Sequence, residues 1–169
     1  MSLSIFFFVL LLAIPTLHAS DLITQTCDKT LYKDLCISTL GSTNVKDMQS
    51  LAELVLNITS SNGSETQKLI AEILNKSSNN NNFMKIYLRD CSEAYQNAVD
   101  QLNKSMAALK SKAFNDLNTW VTAAMSNAES CENGFKENPG TVSPFTNSNK
   151  KFSQLCSITL TITNLLAKN

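Results

Sequence analysis

Few residue types in this chain could do chemistry: five cysteines, one histidine, and carboxylates paired at helical spacing. The cysteines are Cys27, Cys36, Cys91, Cys131 and Cys156. Their chemistry depends on compartment, because an exported chain oxidises its thiols to disulfides, and an odd count leaves at least one unpaired. The lone histidine, His18, lies directly behind an apolar N-terminal run. Removal of that run leaves a chain with no histidine, hence no His-dependent general base, no Ser-His or Cys-His nucleophile pair and no imidazole metal site. Glu129 and Glu132 flank Cys131 at helical spacing, but acid–base work needs a cleft with divergent environments, and a solvated helix surface is the reading for this pair. The sequence contains no glycine-rich phosphate loop, no Cys-x-x-Cys pair and no carboxylate-rich calcium loop. No catalytic residue, no metal and no cofactor is expected.

The N-terminal run sets the compartment. Ile5 to Ile14 are ten consecutive apolar residues, broken by Pro15. As a helix they reach about 15 Å, half of a bilayer core of about 30 Å, so they fit a signal-peptide core rather than a membrane span. Ala19 and Ser20 are the candidate cleavage residues, although no Lys or Arg precedes the run. The expected organisation is a signal peptide over residues 1–20 and one domain over 21–169. The 169 residues carry 14 basic and 14 acidic side chains. A neutral chain whose single arginine is Arg89 lacks the concentrated positive charge that binds phosphate backbones. Four glycines and three prolines are too few for a loop-rich sandwich, and the composition favours helices.

Periodicity then places the cysteines. Phe114, Leu117, Val121, Ala124, Ala128, Cys131 and Phe135 recur at alternating steps of three and four, a sustained heptad stripe. Tyr87, Cys91, Ala94, Ala98, Leu102, Ser105 and Leu109 form a second stripe, and Lys110-Ser111-Lys112 lies between them as a turn. In an antiparallel hairpin turning at Ser111, Cys91 and Cys131 stand level on facing stripes, within reach of a disulfide. That bridge would close a loop of about 40 residues and contribute about 3–4 kcal/mol by chain entropy. Cys27 and Cys36 are nine apart around a small loop. Cys156 is left over, flanking a stripe of Phe152, Leu155, Thr159, Ile162 and Leu166, and reads as a buried thiol acting as a small hydrophobe.

The elements follow: a disulfide-closed N-terminal hairpin of two short helices over 21–44, then long helices over about 47–76, 83–109, 112–136 and 146–167. Asp47 is the candidate N-cap of the first long helix, whose inner face would carry Leu51, Val55 and Ile58, and Asn62-Gly63 could interrupt it. Polar residues 77–82 and the loop 137–145 connect the rest. Four long helices with short connections give an all-α, up-down-up-down four-helix bundle with the hairpin as an appendage. Four N-glycosylation sequons, at Asn57, Asn62, Asn75 and Asn103, fall off the apolar stripes and are read as geometrically available. An exported, disulfide-pinned bundle without catalytic equipment points to binding a macromolecule or a lipid. A lipid or small-ligand carrier would need an open apolar cavity, whereas Ala94, Ala98, Ala124 and Ala128 suggest close helix packing.

Cys27-x8-Cys36, the later pair Cys91 and Cys131, the segment WVTAAMSNAESCENGF from Trp120 to Phe135, and LCSITLTITNLL from Leu155 to Leu166 together resemble the plant invertase and pectin methylesterase inhibitor family over essentially the whole chain after the leader. The resemblance implies a four-helix bundle with an N-terminal hairpin, disulfides Cys27–Cys36 and Cys91–Cys131, and a free fifth cysteine, Cys156. It also implies an inhibitor, not an enzyme, that docks one to one on a cell-wall enzyme, is monomeric when free, and is secreted to the apoplast, with the vacuole as the other destination. Family members that inhibit invertase share a Pro-Lys-Phe element between the second and third bundle helices. Here that connection reads Lys110-Ser111-Lys112-Ala113-Phe114, with Lys112 and Phe114 as counterparts, no proline, and Ala113 intervening. Members that inhibit pectin methylesterase lay polar helix faces across the pectin cleft, and Ser126 stands where they commonly carry a small hydroxyl residue. Pectin methylesterase is the expected target, invertase the alternative.

Overall fold

The computed structural model of the chain describes residues 19–77, 82–137 and 141–168. The expected signal peptide, apart from Ala19 and Ser20, lies outside the described residues, as do most of the polar connector and residues 138–140 of the last loop. Among the described residues six helices follow one another: α1 (Ala19–Cys27), α2 (Lys33–Leu40), α3 (Met48–Lys76), α4 (Asn82–Lys110), α5 (Phe114–Lys136) and α6 (Thr146–Leu166). The described residues form no strand. Each long helix packs on the next, and α6 closes the ring against α3. Pairs along three seams fix the antiparallel sense, one number rising as the other falls: Cys91–Cys131 and Gln101–Asn127 across α4 and α5, Asn118–Asn164 and Glu132–Asn149 across α5 and α6, Thr59–Thr159 and Gly63–Phe152 across α3 and α6. The up-down-up-down bundle is therefore the architecture, and the α1–α2 hairpin, closed by Cys27–Cys36, is attached through contacts of α2 with α6.

Local chemistry explains where the helices begin. Asp47 adopts extended backbone, its side chain accepts from the Ser50 amide, and its own amide donates to the Ser50 hydroxyl oxygen, a reciprocal capping box. This arrangement satisfies amide donors that have no partner inside the helix. At the end of α4 the chain stops in a Schellman turn. The Ala113 amide donates to the Ala108 carbonyl at 2.9 Å, the Lys112 amide to the Leu109 carbonyl at 3.1 Å, and Lys112 sits in the left-handed region with φ 57°. Glycine usually holds that position, and a side chain there costs about 1–2 kcal/mol.

The two predicted heptad stripes are the facing sides of α4 and α5. From Cys91 to Leu109 and from Leu117 to Phe135 every stripe residue is buried, with only Tyr87 and Phe114 half-exposed at the outer ends. The inner face of α3 differs from the sequence expectation. Ile58 is only half-buried, and the buried row runs Leu51, Val55, Thr59, Gly63, Thr66 and Ile70, with Ala52 and Leu56 beside it. Asn62-Gly63 does not interrupt α3. Gly63 lies on that inner row against Phe152, so close that a Cβ would fall 2.8 Å from the ring's Cε2. Its missing side chain is what lets α3 and α6 approach.

Candidate functional site

The exposed side of α5 presents a continuous uncharged polar row. Asn115, Thr119, Thr122, Ser126, Ser130 and Asn133 are all exposed and recur at steps of three and four, the spacing that lines one side of a helix. Thr119, Ser126 and Ser130 each donate their hydroxyl to the carbonyl four residues earlier, at 3.0, 3.1 and 3.0 Å. Their protons are thereby occupied, while the oxygens' remaining lone pairs face outward. The row is uncharged, with Asp116 and Glu129 at its margin. Such a face offers hydrogen bonds without a large charge-desolvation cost, which suits a polar cleft better than an ion-pairing one.

On the flank toward α4, Trp120 is half-buried and the Lys104 ammonium lies 4.6 Å from its ring centroid. This cation–π contact adds a weak attraction, about 0.5–1 kcal/mol at an exposed site, between α4 and the chain's single tryptophan. On the other flank, α5 and α6 border a surface groove of about 350 Å³ lined by Glu129, Glu132, Lys136, Asn149, Lys150 and neighbours. Glu132 is not simply a solvated surface carboxylate. It is half-buried and accepts from Thr146 Oγ1 at 3.0 Å and from Asn149 Nδ2 at 2.9 Å, while the Tyr95 hydroxyl donates to Asn149 Oδ1 at 2.8 Å. The chain of bonds ties α4, α5 and the start of α6 together, and Glu132 is occupied by that task rather than by acid–base chemistry with Glu129. Neither this network nor the Trp120 contact was anticipated. A buried asparagine leaves no trace in apolar periodicity, though the spacing of Lys104 and Trp120 across the predicted hairpin turn could have indicated their pairing.

The residues singled out for target binding fall in two places. Lys110 and Lys112 are exposed at the end of the bundle, and Phe114 is half-buried beside them. Ser126 lies twelve residues further along α5, about 18 Å from Phe114 at 1.5 Å per residue. The structure therefore does not merge them into one small site. Lys112, Ala113, Phe114, Asn115, Asp116 and Ala167 surround a shallow depression at that end.

The cysteines are bonded as Cys27–Cys36 and Cys91–Cys131, and Cys156 is free and buried. Burial, with a smaller contribution from Glu129, pushes the Cys156 thiol well above its ordinary range, so it holds no thiolate at neutral pH. Among the sequons, Asn57, Asn75 and Asn103 are exposed. Asn62 departs from the expectation: it is half-buried in a groove between α3 and α6, and its Oδ1 is buried without a hydrogen-bond partner. It sits at the edge of the inner row rather than off it. Among the described residues no cluster of metal-ligating side chains occurs, and no helix is long and apolar enough to cross a membrane.

Known proteins share this arrangement. Residues 21–162 match the family described as Plant invertase/pectin methylesterase inhibitor. A Platanus acerifolia protein named "Putative invertase inhibitor" is 36% identical over 98% of this chain and 96% of its own. A "Pectinesterase inhibitor" from Actinidia deliciosa is 32% identical over 90% of this chain and 83% of its own. In three dimensions, the crystal structure of a mutant form of a pectin methylesterase inhibitor from Arabidopsis superposes with a TM-score of 0.75, at 27% identity, over 85% of this chain and 95% of that one. With the bundle, the N-terminal hairpin and a family match across most of its length, the chain belongs to the plant invertase/pectin methylesterase inhibitor family.

Proposed function

We propose that this chain is a secreted protein inhibitor, monomeric when free, that docks one to one on a plant cell-wall pectin methylesterase through the exposed side of α5. The observation that carries the reading is the uncharged polar row from Asn115 to Asn133, centred on Ser126. It lies on a helix held rigid by the Cys91–Cys131 bridge and by the bonds of Glu132. A preformed, inflexible face loses little entropy on docking, so its hydrogen bonds translate into affinity. The resemblance to pectin methylesterase inhibitors supports the choice of target and the reading as an inhibitor.

The second reading, inhibition of acid invertase, is favoured by one observation. The Schellman turn holds Lys112 outward in a left-handed conformation beside Phe114, and strained backbone of this kind concentrates at binding sites. Titrating purified pectin methylesterase and invertase with variants separates the two. Ser126→Arg adds bulk to an exposed helix position and should weaken pectin methylesterase inhibition by more than about tenfold. Lys112→Gly removes the ammonium while relaxing the turn, which should raise stability by about 1 kcal/mol and leave pectin methylesterase inhibition unchanged. Undiminished pectin methylesterase inhibition by Ser126→Arg would overturn the α5 reading. Loss of invertase inhibition by the more stable Lys112→Gly protein would establish the second.

A further inference from the structure

The four sequons are not spread around the bundle. Asn57, Asn62 and Asn75 lie on α3 and Asn103 lies on α4, whereas α5, α6 and the N-terminal hairpin carry none. Helix geometry tells them apart. At about 100° per residue, Asn57 points about 160° away from the buried Thr59 and Asn75 about 180° away from the buried Thr66. Both face outward, and both are exposed. Asn103 is exposed and lies seven residues beyond Gln96, whose side chain meets Gln67 of α3 at 2.6 Å. Positions seven apart share a helix side, so Asn103 belongs to the edge of α4 that faces α3, not the edge that faces α5.

Asn62 is placed differently. It is only about 40° from the buried Thr66 by the same geometry, and its carboxamide enters the groove where α3 meets α6, beside Ile58, Glu65, Lys151 and Leu155. The Oδ1 atom is already buried there. The sugar-bearing Nδ2 shares a carbon with that atom, so a glycan would begin at the border of the α3–α6 groove, against Lys151 and Leu155, with less room than at the exposed asparagines.

We propose that N-linked glycans occupy Asn57, Asn75 and Asn103 and not Asn62, and that they cover the α3 side of the bundle while leaving α5 and α6 bare. The sugars then act as a one-sided shield. They solubilise the side away from the target, screen it from non-productive contacts and leave α5 as the protein surface open to a large partner. The second half of this inference rests on the α5 docking reading, whereas the occupancy pattern does not.

The test is mass mapping of the full chain secreted from plant cells under its own leader, with glycosidase treatment in heavy-oxygen water marking each asparagine that carried sugar. The expected result is marking at Asn57, Asn75 and Asn103 with Asn62 unmarked. A secreted, inhibitory protein without sugar, or one modified at Asn62, overturns the occupancy pattern while leaving the inhibitor reading intact. For the shield, enzymatic removal of the glycans from the folded protein should change inhibition by less than about twofold. Asp116→Asn with Asn118→Thr creates a sequon at the exposed position 116, on the margin of the α5 row, and a glycan there should weaken inhibition more than about tenfold, with Asn118→Thr alone as the unglycosylated control. A gain in inhibition on removing the native glycans, or full inhibition by the protein glycosylated at position 116, would show that the bare side is not the docking side.

Discussion

The seam between α4 and α5 and the seam between α3 and α6 hold the same bundle together by different chemistry. The first is a regular ladder: Ala94, Ala98 and Leu102 on one helix face Val121, Ala124 and Ala128 on the other, all buried, with the Cys91–Cys131 bridge near one end. The second is irregular and partly polar. Thr59 meets Thr159 hydroxyl to hydroxyl at 2.9 Å, Gly63 admits the Phe152 ring, and the ring of Tyr95 packs on Phe152 with centroids 5.4 Å apart. Near this seam, Tyr95 also reaches the buried Asn149 at the start of α6. Close approach in the first seam comes from alanine at repeating positions. In the second it comes from one glycine and a few satisfied polar groups. Register in the first is pinned by the bridge and by Asn127 donating to Gln101, whereas in the second it is pinned by the fit of Gly63 to Phe152 and the meeting of the two threonines.

Removing the bridge is the strongest test of the first seam. Paired Cys91→Ala and Cys131→Ala substitutions should lower unfolding free energy in urea by about 3–4 kcal/mol, the chain-entropy value for a loop of about 40 residues. The variant should remain helical, since the apolar ladder persists. Loss of helix content on making the variant would show that the ladder cannot hold α4 on α5 unaided. The matching test of the polar side is Asn149→Ala. It strips the Tyr95 hydroxyl and the Glu132 carboxylate of a partner in or near the core and should cost about 2–3 kcal/mol. A cost below that of Tyr95→Phe alone would mean that the network contributes nothing beyond one hydroxyl.

This contrast also explains what the sequence disclosed. Apolar periodicity is a signal about burial, so it located α4, α5 and the Cys91–Cys131 pairing, and the serine-for-apolar substitution at Ser105 did not hide the pattern. Asp47 was legible because a cap has local chemistry. The inner face of α3 was misread at Ile58 because its true row passes through Thr59, Gly63 and Thr66, residues whose types ordinarily mark surface or turns. Threonine can be buried when its hydroxyl bonds to the carbonyl four residues back, as Thr59 and Thr66 do at 2.8 and 2.9 Å. Periodicity also makes Asn62 look free, since it distinguishes a stripe from its opposite side but not from its border. On the candidate site, Ser126 came from the family resemblance, and the polar row around it has no signature in apolar periodicity. The separation of Ser126 from Lys112 and Phe114, the contact of Lys104 with Trp120 and the engagement of Glu132 are matters of tertiary packing.

Gly63→Ala turns the comparison into a contest of magnitudes. In an exposed helix interior the change would stabilise by about 1 kcal/mol. Here the added methyl meets the wholly buried Phe152 ring, and overpacking costs about 1–3 kcal/mol. The expected outcome is a net loss of about 1 kcal/mol, recovered in part by combining Gly63→Ala with Phe152→Leu. A net gain in stability would mean that the ring yields freely and that the glycine does not set the α3–α6 distance.

The smallest expected effect is the most specific to the polar seam. Each hydroxyl of Thr59 and Thr159 has one proton and two acceptors in reach: the carbonyl four residues back in its own helix and the other hydroxyl. One of the two therefore donates across the seam while the other donates within its helix. Thr59→Val or Thr159→Val alone leaves the remaining hydroxyl satisfied as a donor but facing a methyl, at a cost of about 0.5–1 kcal/mol. The double variant replaces both polar partners by apolar groups of the same shape, and should be close to neutral. The double-mutant cycle thus yields a coupling of about 1–2 kcal/mol, the sum of the two single costs, between positions a hundred residues apart. Strict additivity of the two single costs would show that the hydroxyls do not bond across the seam, and that α6 is positioned on α3 by Gly63 and Phe152 alone.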